Sequence, residues 1–94
     1  MRPSHAAALA LVGWYLMTPP TTGNPKPFEH DVTAPLSRWT VDQAFDTAAE
    51  CEGRCGQIGD ELARKAERGR SFDLLDLGRM LAQCIASDDP RLRR

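Results

Sequence analysis

The first feature of the hydrophobic pattern is an uninterrupted apolar run over residues 6–17. Arg2 precedes the run, and Pro19 and Pro20 follow it, as in a secretory targeting segment that ends at a helix breaker. The run is shorter than the roughly twenty residues that a membrane-spanning helix needs. The pattern therefore predicts a signal peptide or short membrane anchor over 1–23, with membrane contact only through 6–17 if the segment is uncleaved.

Prolines are concentrated in the segment that follows this run. Their frequency favours an extended, polyproline-like backbone over helix or sheet, so residues 24–35 are predicted to form a linker. Glu29, His30 and Asp31 lie in it and are metal-ligand types. Neighbouring side chains of an extended segment point in opposite directions, however. No metal site is predicted there.

Apolar and polar positions alternate between residues 36 and 45. Trp39, Val41 and Phe45 fall on one side of this period-two pattern, which predicts a short strand or extended arm. Large apolar groups are few after the first run, so Trp39 and Phe45 are expected to cover a thin core. The alternative hypothesis is that they form a contact surface for a partner.

A first amphipathic helix is predicted from Ala48 to the vicinity of Gly69. Thr47 and Glu50 have the spacing of a capping box at its start, and glycine is the residue type that most often ends helices. Apolar positions recur at intervals of three or four along one face. They are Cys51, Cys55, Ile58, Leu62 and Ala66.

A second helix is predicted directly after a short turn. Ser71 is its expected N-cap, Phe72 is a further candidate contact residue, and the chain is expected to leave the helix at Ser87. The apolar stripe of this helix consists of Leu74, Leu77, Leu81 and Cys84. Because the connection is short, the two helices are expected to pack as an antiparallel hairpin.

The three cysteines matter because the chain is short. At 94 residues it forms one domain at most, and residues 36–94 bury too little surface for a large core. A disulfide is therefore expected in an exported chain. In a helical hairpin Cys84 has two candidate partners, Cys51 and Cys55. Cys51 is favoured because it lies nearer the start of the first helix, and Cys55 would then be a candidate free thiol.

Charge and spacing exclude several function classes. The net charge is −1, which gives no reason to expect a nucleic-acid partner. The cysteines form no C-x-x-C pair of the kind found in zinc sites and thiol oxidoreductases. No histidine follows the linker to serve a hydrolase. The sequence therefore predicts neither an enzyme nor a bound cofactor.

Four short motifs occur in the order WYLMTPP, PLSRWT, FDTAAEC and CIASDDPRL. With them the chain resembles an uncharacterised family of short, exported bacterial proteins with no known activity. The resemblance implies a two-cysteine pattern that matches Cys51 and Cys84. Cys55 departs from that pattern.

Together these observations predict a mainly α protein. Its expected parts are an N-terminal signal or anchor helix, a proline-rich linker, a short extended arm and a disulfide-linked helical hairpin. The predicted function is a non-enzymatic interaction or structural module in the periplasm or cell envelope, with an unidentified protein partner. The alternatives are a thiol-dependent redox or metal-handling protein using Cys55, and an anchored accessory subunit of a membrane complex.

Overall fold

The computed structural model describes residues 12–23 and 29–93. Five strands and two α-helices lie in this part of the chain, and neither helix is long and apolar enough to cross a membrane. In chain order the elements are β1 (Trp14–Thr18), β2 (Thr21–Thr22), β3 (Glu29–His30), β4 (Thr40–Phe45), α1 (Ala48–Glu67), α2 (Leu74–Met80) and β5 (Gln83–Ala86). Two short 3₁₀ helices span Leu36–Arg38 and Pro90–Arg93.

The main sheet is antiparallel and has the strand order β4-β1-β5. Its central strand β1 comes from the end of the apolar run, so the prediction of an N-terminal signal or anchor helix is wrong for these residues. Residues 6–11 lie outside the described residues. Aromatic and β-branched side chains such as Trp14, Tyr15 and Thr18 suit a strand, and Pro19 ends it. The fold is a small α+β domain.

The side chains of β1 point alternately to the two faces of the sheet. Leu16 lies in the core between the sheet and α1, where it packs with Cys51, Ile58 and Leu62. Its neighbour Met17 lies in a second core on the opposite face. Leu16 is 1% exposed and Met17 is 2% exposed. Because both faces of β1 are covered, its sequence is apolar at consecutive positions.

The second core contains Trp39 and the residues around the first 3₁₀ helix. Trp39 is buried, and its indole N–H donates a hydrogen bond to the Ala34 carbonyl oxygen at 2.9 Å. Trp39 is therefore a core residue and offers no exposed ring as a contact surface. The predicted strand that follows it is present as β4, although most of its side chains are exposed.

The proline-rich segment is partly folded onto the domain. β2 pairs with β3 in an antiparallel ladder, and the Asp31 N–H donates to the Pro20 carbonyl oxygen at 2.8 Å. Ala34 and Leu36 are buried in the second core. Residues 24–28 of the predicted linker lie outside the described residues, and the remainder packs on the domain.

The first predicted helix is confirmed in type and position. The reciprocal Thr47 and Glu50 capping box opens α1. Gly69 follows its last turn with a φ of 70°, the left-handed conformation that glycine adopts without steric cost. The amphipathic stripe is also present, since Cys51, Ile58 and Leu62 are buried.

The second predicted helix is only half correct, and the helical hairpin is wrong. α2 begins after Asp73 rather than Ser71, because Asp73 and Asp76 form their own capping box. It ends at Met80, after which residues 83–86 form β5. Pairing with β1 satisfies the backbone of this strand and buries Ile85. The 83–86 segment therefore completes a sheet instead of a helix.

Gly78 marks a close contact between α2 and His30. A Cβ atom on Gly78 would lie 2.7 Å from His30 Nε2, which is too close without movement of the ring. Alanine normally stabilises a helix interior relative to glycine by about 1 kcal/mol. Gly78→Ala should instead lower the free energy of unfolding by about 1–3 kcal/mol through overpacking, as measured by urea denaturation.

Gly56 provides the matched control for this substitution. No atom lies within 4 Å of the position that a Cβ on Gly56 would occupy, so Gly56→Ala should stabilise the protein by up to about 1 kcal/mol. His30→Ala should remove most of the penalty of Gly78→Ala in the double variant. Equal changes in the free energy of unfolding for the two glycine substitutions would contradict a close contact between Gly78 and the His30 ring.

Candidate functional site: three cysteines beside an apolar groove

A disulfide joins the start of α1 to the edge strand β5. Cys51 lies in the first turn of α1 and Cys84 on β5, with their Cα atoms 6.1 Å apart. Cys51 is fully buried in the core that contains Leu16. The predicted pairing of Cys51 with Cys84 is therefore confirmed. The geometric reason for it was wrong, because Cys84 lies on a strand and not at the end of a second helix.

Cys55 is a free cysteine one turn further along α1. Its Sγ lies 3.7 Å from Cys84 Sγ, so a thiol and a disulfide sulfur are in contact. The side chain is half-buried. Burial raises the pKa of the Cys55 thiol, and the nearby Glu52 carboxylate raises it further. Near neutral pH the group is therefore predominantly the protonated thiol.

Cys55 also lines an apolar groove, which we define as the cavity of about 410 Å³ between α1 and α2. Side chains from α1 form one wall, and residues at both ends of α2 form the other. Six of the residues that line it are Cys55, Ile58, Leu62, Ala63, Phe72 and Met80. The groove thus combines an open apolar surface with one thiol.

One end of the apolar groove is bordered by a network of ion pairs. Glu61 on α1 accepts from Arg79 at 2.6 Å and from Arg54 at 3.2 Å. The hydrogen bond from Arg79, followed by that from Arg54, lowers the pKa of the Glu61 carboxyl group. Arg79 is the one charged side chain among the described residues that line the apolar groove. The network ties α2 to α1 at this border.

A second cavity adjoins the apolar groove and shares Leu62 and Arg79 with it. We call it the basic cleft. It has a volume of about 370 Å³ and is lined by five basic side chains and two carboxylates. The basic residues are Arg64, Lys65, Arg68, Arg70 and Arg79, and the acidic ones are Glu61 and Asp76. The cleft therefore has a positive net charge.

The two carboxylates of the basic cleft are already engaged. Asp76 is buried and forms an ion pair with Lys65. The hydrogen bond from Lys65, assisted by the backbone N–H of Asp73, lowers the pKa of Asp76. In residues 12–23 and 29–93, no carboxylate lies within ion-pair distance of Arg64, Arg68 or Arg70. These three guanidinium groups give the cleft its free positive charge.

The candidate contact residues from the sequence are distributed over two faces of the sheet. Phe72 lines the apolar groove, and Phe45 is half-buried in the core beneath α1. Trp39 lies in the core on the opposite face. Sequence reasoning missed the basic cleft, although the spacing of Arg64 and Arg68 by one helical turn places both on one face of α1.

The polar cluster at β3 brings no ligand set together. Among the residues that the structure describes, no group of three or more His, Cys, Asp or Glu side chains is arranged to hold a metal ion. His30 instead packs against Gly78, and Asp31 accepts from the Thr33 hydroxyl at 2.6 Å and from its N–H at 2.9 Å. His30 and Asp31 thus make local contacts within the fold.

Comparison with known proteins gives no match, since no protein-family model, no curated protein and no solved structure matches this chain.

Proposed function

We propose that this protein is a non-enzymatic interaction module that binds a partner protein through the apolar groove and the basic cleft. The partner segment has apolar side chains that enter the groove and acidic residues that lie over the cleft. The observation that carries this proposal is the junction of the two cavities, which share Leu62 and Arg79. A single bound segment can therefore contact both.

The shape of the apolar groove suits a short amphipathic segment. Docking of an apolar helix face into a groove between helices is a recurring mode of peptide recognition. Met80 lines the groove and is 47% exposed, so α2 presents an apolar side chain that a partner can cover. A partner that covers this side chain would gain about 25 cal/mol for each Å² of apolar area removed from water.

The charge of the basic cleft supports an acidic partner. Arg64, Arg68 and Arg70 are without carboxylate partners in the described part of the chain. Complementary charges accelerate association and fix the orientation of a bound segment. Carboxylates of the partner would supply the missing counter-charges. Binding is therefore expected to weaken as the salt concentration rises.

We place this module in an oxidising compartment outside the cytoplasm. The buried Cys51–Cys84 disulfide supports this location, because disulfides persist in the periplasm and on cell surfaces and are rare in the cytosol. Removal of residues 1–23 would take β1 out of the sheet. The exported form that we propose therefore retains residues 14–18.

The state of Cys55 supports interaction over enzymatic thiol chemistry. Reactive cysteines of redox enzymes have a lowered pKa and an exposed sulfur. Cys55 is half-buried and its pKa is raised. These properties favour a role for its side chain as part of the groove wall.

Peptide display tests the proposed function even though the partner is unidentified. The oxidised protein is used to select from random peptides long enough for about three helical turns. We expect enriched peptides to have apolar residues at helical spacing next to Asp or Glu. Their dissociation constants, measured by fluorescence anisotropy, should rise at least about tenfold in Ala63→Glu, which is a loss of about 1.4 kcal/mol.

Two further variants make the peptide-binding result specific. Ala49→Glu places the same charge on an exposed position of α1 that does not line the groove, and it should bind like the unmodified protein. When Arg68→Glu is used for the selection, peptides with Asp or Glu should be depleted, because the variant replaces a positive charge of the basic cleft with a negative one. The proposal fails if no peptide family is enriched, or if Ala63→Glu and Ala49→Glu bind the enriched peptides equally well.

A further inference from the structure

The three cysteine sulfurs form one cluster, of which Cys55 lines the apolar groove. Cys51 and Cys84 are bonded, and the free Cys55 Sγ is 3.7 Å from Cys84 Sγ. Cys51 and Cys55 occupy consecutive turns of α1 and face the same strand. A thiol in contact with a disulfide sulfur is positioned for thiol–disulfide exchange, which proceeds by attack of a thiolate on one sulfur of the disulfide.

We propose that this cluster is an intramolecular exchange site in which Cys55 attacks Cys84 Sγ and displaces Cys51. The Cys55 thiol first loses its proton. Its thiolate then forms a bond to Cys84 Sγ while the bond between Cys84 Sγ and Cys51 Sγ breaks, and the electron pair leaves with Cys51 Sγ, which takes up a proton. One disulfide and one thiol are present before and after, so the step needs no external oxidant or reductant.

The geometry identifies Cys51 as the leaving group, because it is the sulfur bonded to Cys84 Sγ. Two features of Cys51 act in opposite directions on its departure as a thiolate: its place in the first turn of α1 favours the negative charge, whereas its full burial disfavours it. Attack at Cys84 also agrees with the observed contact, since Cys84 Sγ is the disulfide sulfur that lies beside Cys55.

The exchange is expected to be slow near neutral pH and faster in base. Glu52 on α1 and burial both disfavour the Cys55 thiolate. From α2, the charged side chain lining the same groove is Arg79, which is held by Glu61. Among the described residues, the sheet side chains of the core that Cys55 packs against include Trp14, Leu16 and Phe45, which carry no titratable group. The rate should therefore rise about tenfold per pH unit below the thiol pKa.

Exchange would change the thiol content of the apolar groove. In the observed isomer, the free thiol is Cys55 and lines the groove. In the exchanged isomer, the free thiol would be Cys51, which is fully buried. The cluster would thus move a free thiol between an accessible and an inaccessible position while α1 stays linked to β5.

Tryptic mapping of the unmodified protein distinguishes the two isomers directly. Arg54 lies between the two α1 cysteines, so trypsin separates peptide 39–54 with Cys51 from peptide 55–64 with Cys55, and Cys84 lies in 80–91. The oxidised protein is held without oxygen, oxidant or added thiol at about pH 6 and about pH 9, on either side of the ordinary thiol pKa. Acid quenching, alkylation with N-ethylmaleimide and mass spectrometry then report each disulfide.

The expected result is the appearance of a 55–64 peptide linked to 80–91, with a much higher initial rate at about pH 9 than at about pH 6. The proposal is overturned if 39–54 linked to 80–91 stays the sole disulfide after hours at the higher pH, which is the timescale of uncatalysed rearrangement. A link between 39–54 and 55–64 as the first product would also overturn it. In a mixture of isotopically labelled and unlabelled protein, disulfides that join a labelled chain to an unlabelled chain would also overturn it, because they form by exchange between molecules.

Cys51→Ser tests whether the exchanged disulfide can form at all. After mild oxidation, the monomeric variant should contain a link between 55–64 and 80–91 and no titratable thiol. Cys51→Ser/Cys55→Ser is the matched control that keeps Cys84 but has no partner for it. Two free thiols in oxidised, folded Cys51→Ser would contradict the proposed geometry.

Discussion

A chain that lacks residues 1–23 should have no cooperative unfolding transition. β4 and β5 each pair with β1, so the loss of β1 removes the whole three-stranded sheet. Leu16 and Met17 also leave the two cores, and full burial of such a side chain contributes about 1.5–3 kcal/mol. The two side chains alone account for about 3–6 kcal/mol, a large part of the total stability of about 5–15 kcal/mol of a small domain, and the loss of the sheet adds to it.

Circular dichroism and urea denaturation of two truncated chains test this expectation. A chain that starts at Val12 keeps all the described strands and is the matched control. Leu16→Asp should unfold the full-length protein, whereas Val41→Asp introduces the same carboxylate at an exposed position of β4 and should be tolerated. A cooperative transition in the chain without residues 1–23 would refute the central role of β1.

The second large effect is expected from Cys84→Ala, which removes the disulfide. The disulfide joins residues 33 positions apart, and a closed loop of this size is worth about 4 kcal/mol in the chain-entropy model. The variant should lose about that much free energy of unfolding in urea under non-reducing conditions. The unmodified protein should lose a similar amount after reduction.

Cys55→Ala is the control for the loss of a sulfur atom alone. It keeps the Cys51–Cys84 disulfide and should change the free energy of unfolding by about 1 kcal/mol or less. Cys51→Ala should cost less than Cys84→Ala if Cys55 then bonds to Cys84. A Cys84→Ala variant as stable as the unmodified protein would show that the disulfide does not contribute to stability.

The elements with complete local end signals could be predicted from the sequence. The capping box at Thr47 and the glycine at position 69 define both ends of α1 within the chain itself. The predicted pairing of Cys51 with Cys84 is also present in the structure, although it was inferred from a helical hairpin that does not exist. The signals at the two ends of α1, in contrast, act within a few residues and depend little on the rest of the fold.

The strands at the two ends of the described domain could not be predicted in this way. β1 is covered on both faces, and its apolar run matches both a buried strand and a targeting segment. β5 continues an apolar spacing that also fits a helix, and pairing with β1 decides its conformation. In both cases a distant partner strand determines the structure.

Local sequence patterns also did not predict the apolar groove or the basic cleft. Phe72 was a candidate contact residue and does line the groove. The cleft, however, forms where the end of α1 meets α2, and it depends on how the two helices cross. The contact of Cys55 with Cys84 likewise arises because β5 lies beside α1.

The pairing of β1 with β5 has a consequence for when the protein can fold. The Gly13 N–H donates to the Ser87 hydroxyl oxygen across 74 positions, and the β1 backbone has no β5 partner until residues 83–86 have been synthesised. Contacts of such large sequence separation slow folding. Closure of the three-stranded sheet should therefore be a late step of folding that follows the synthesis of β5.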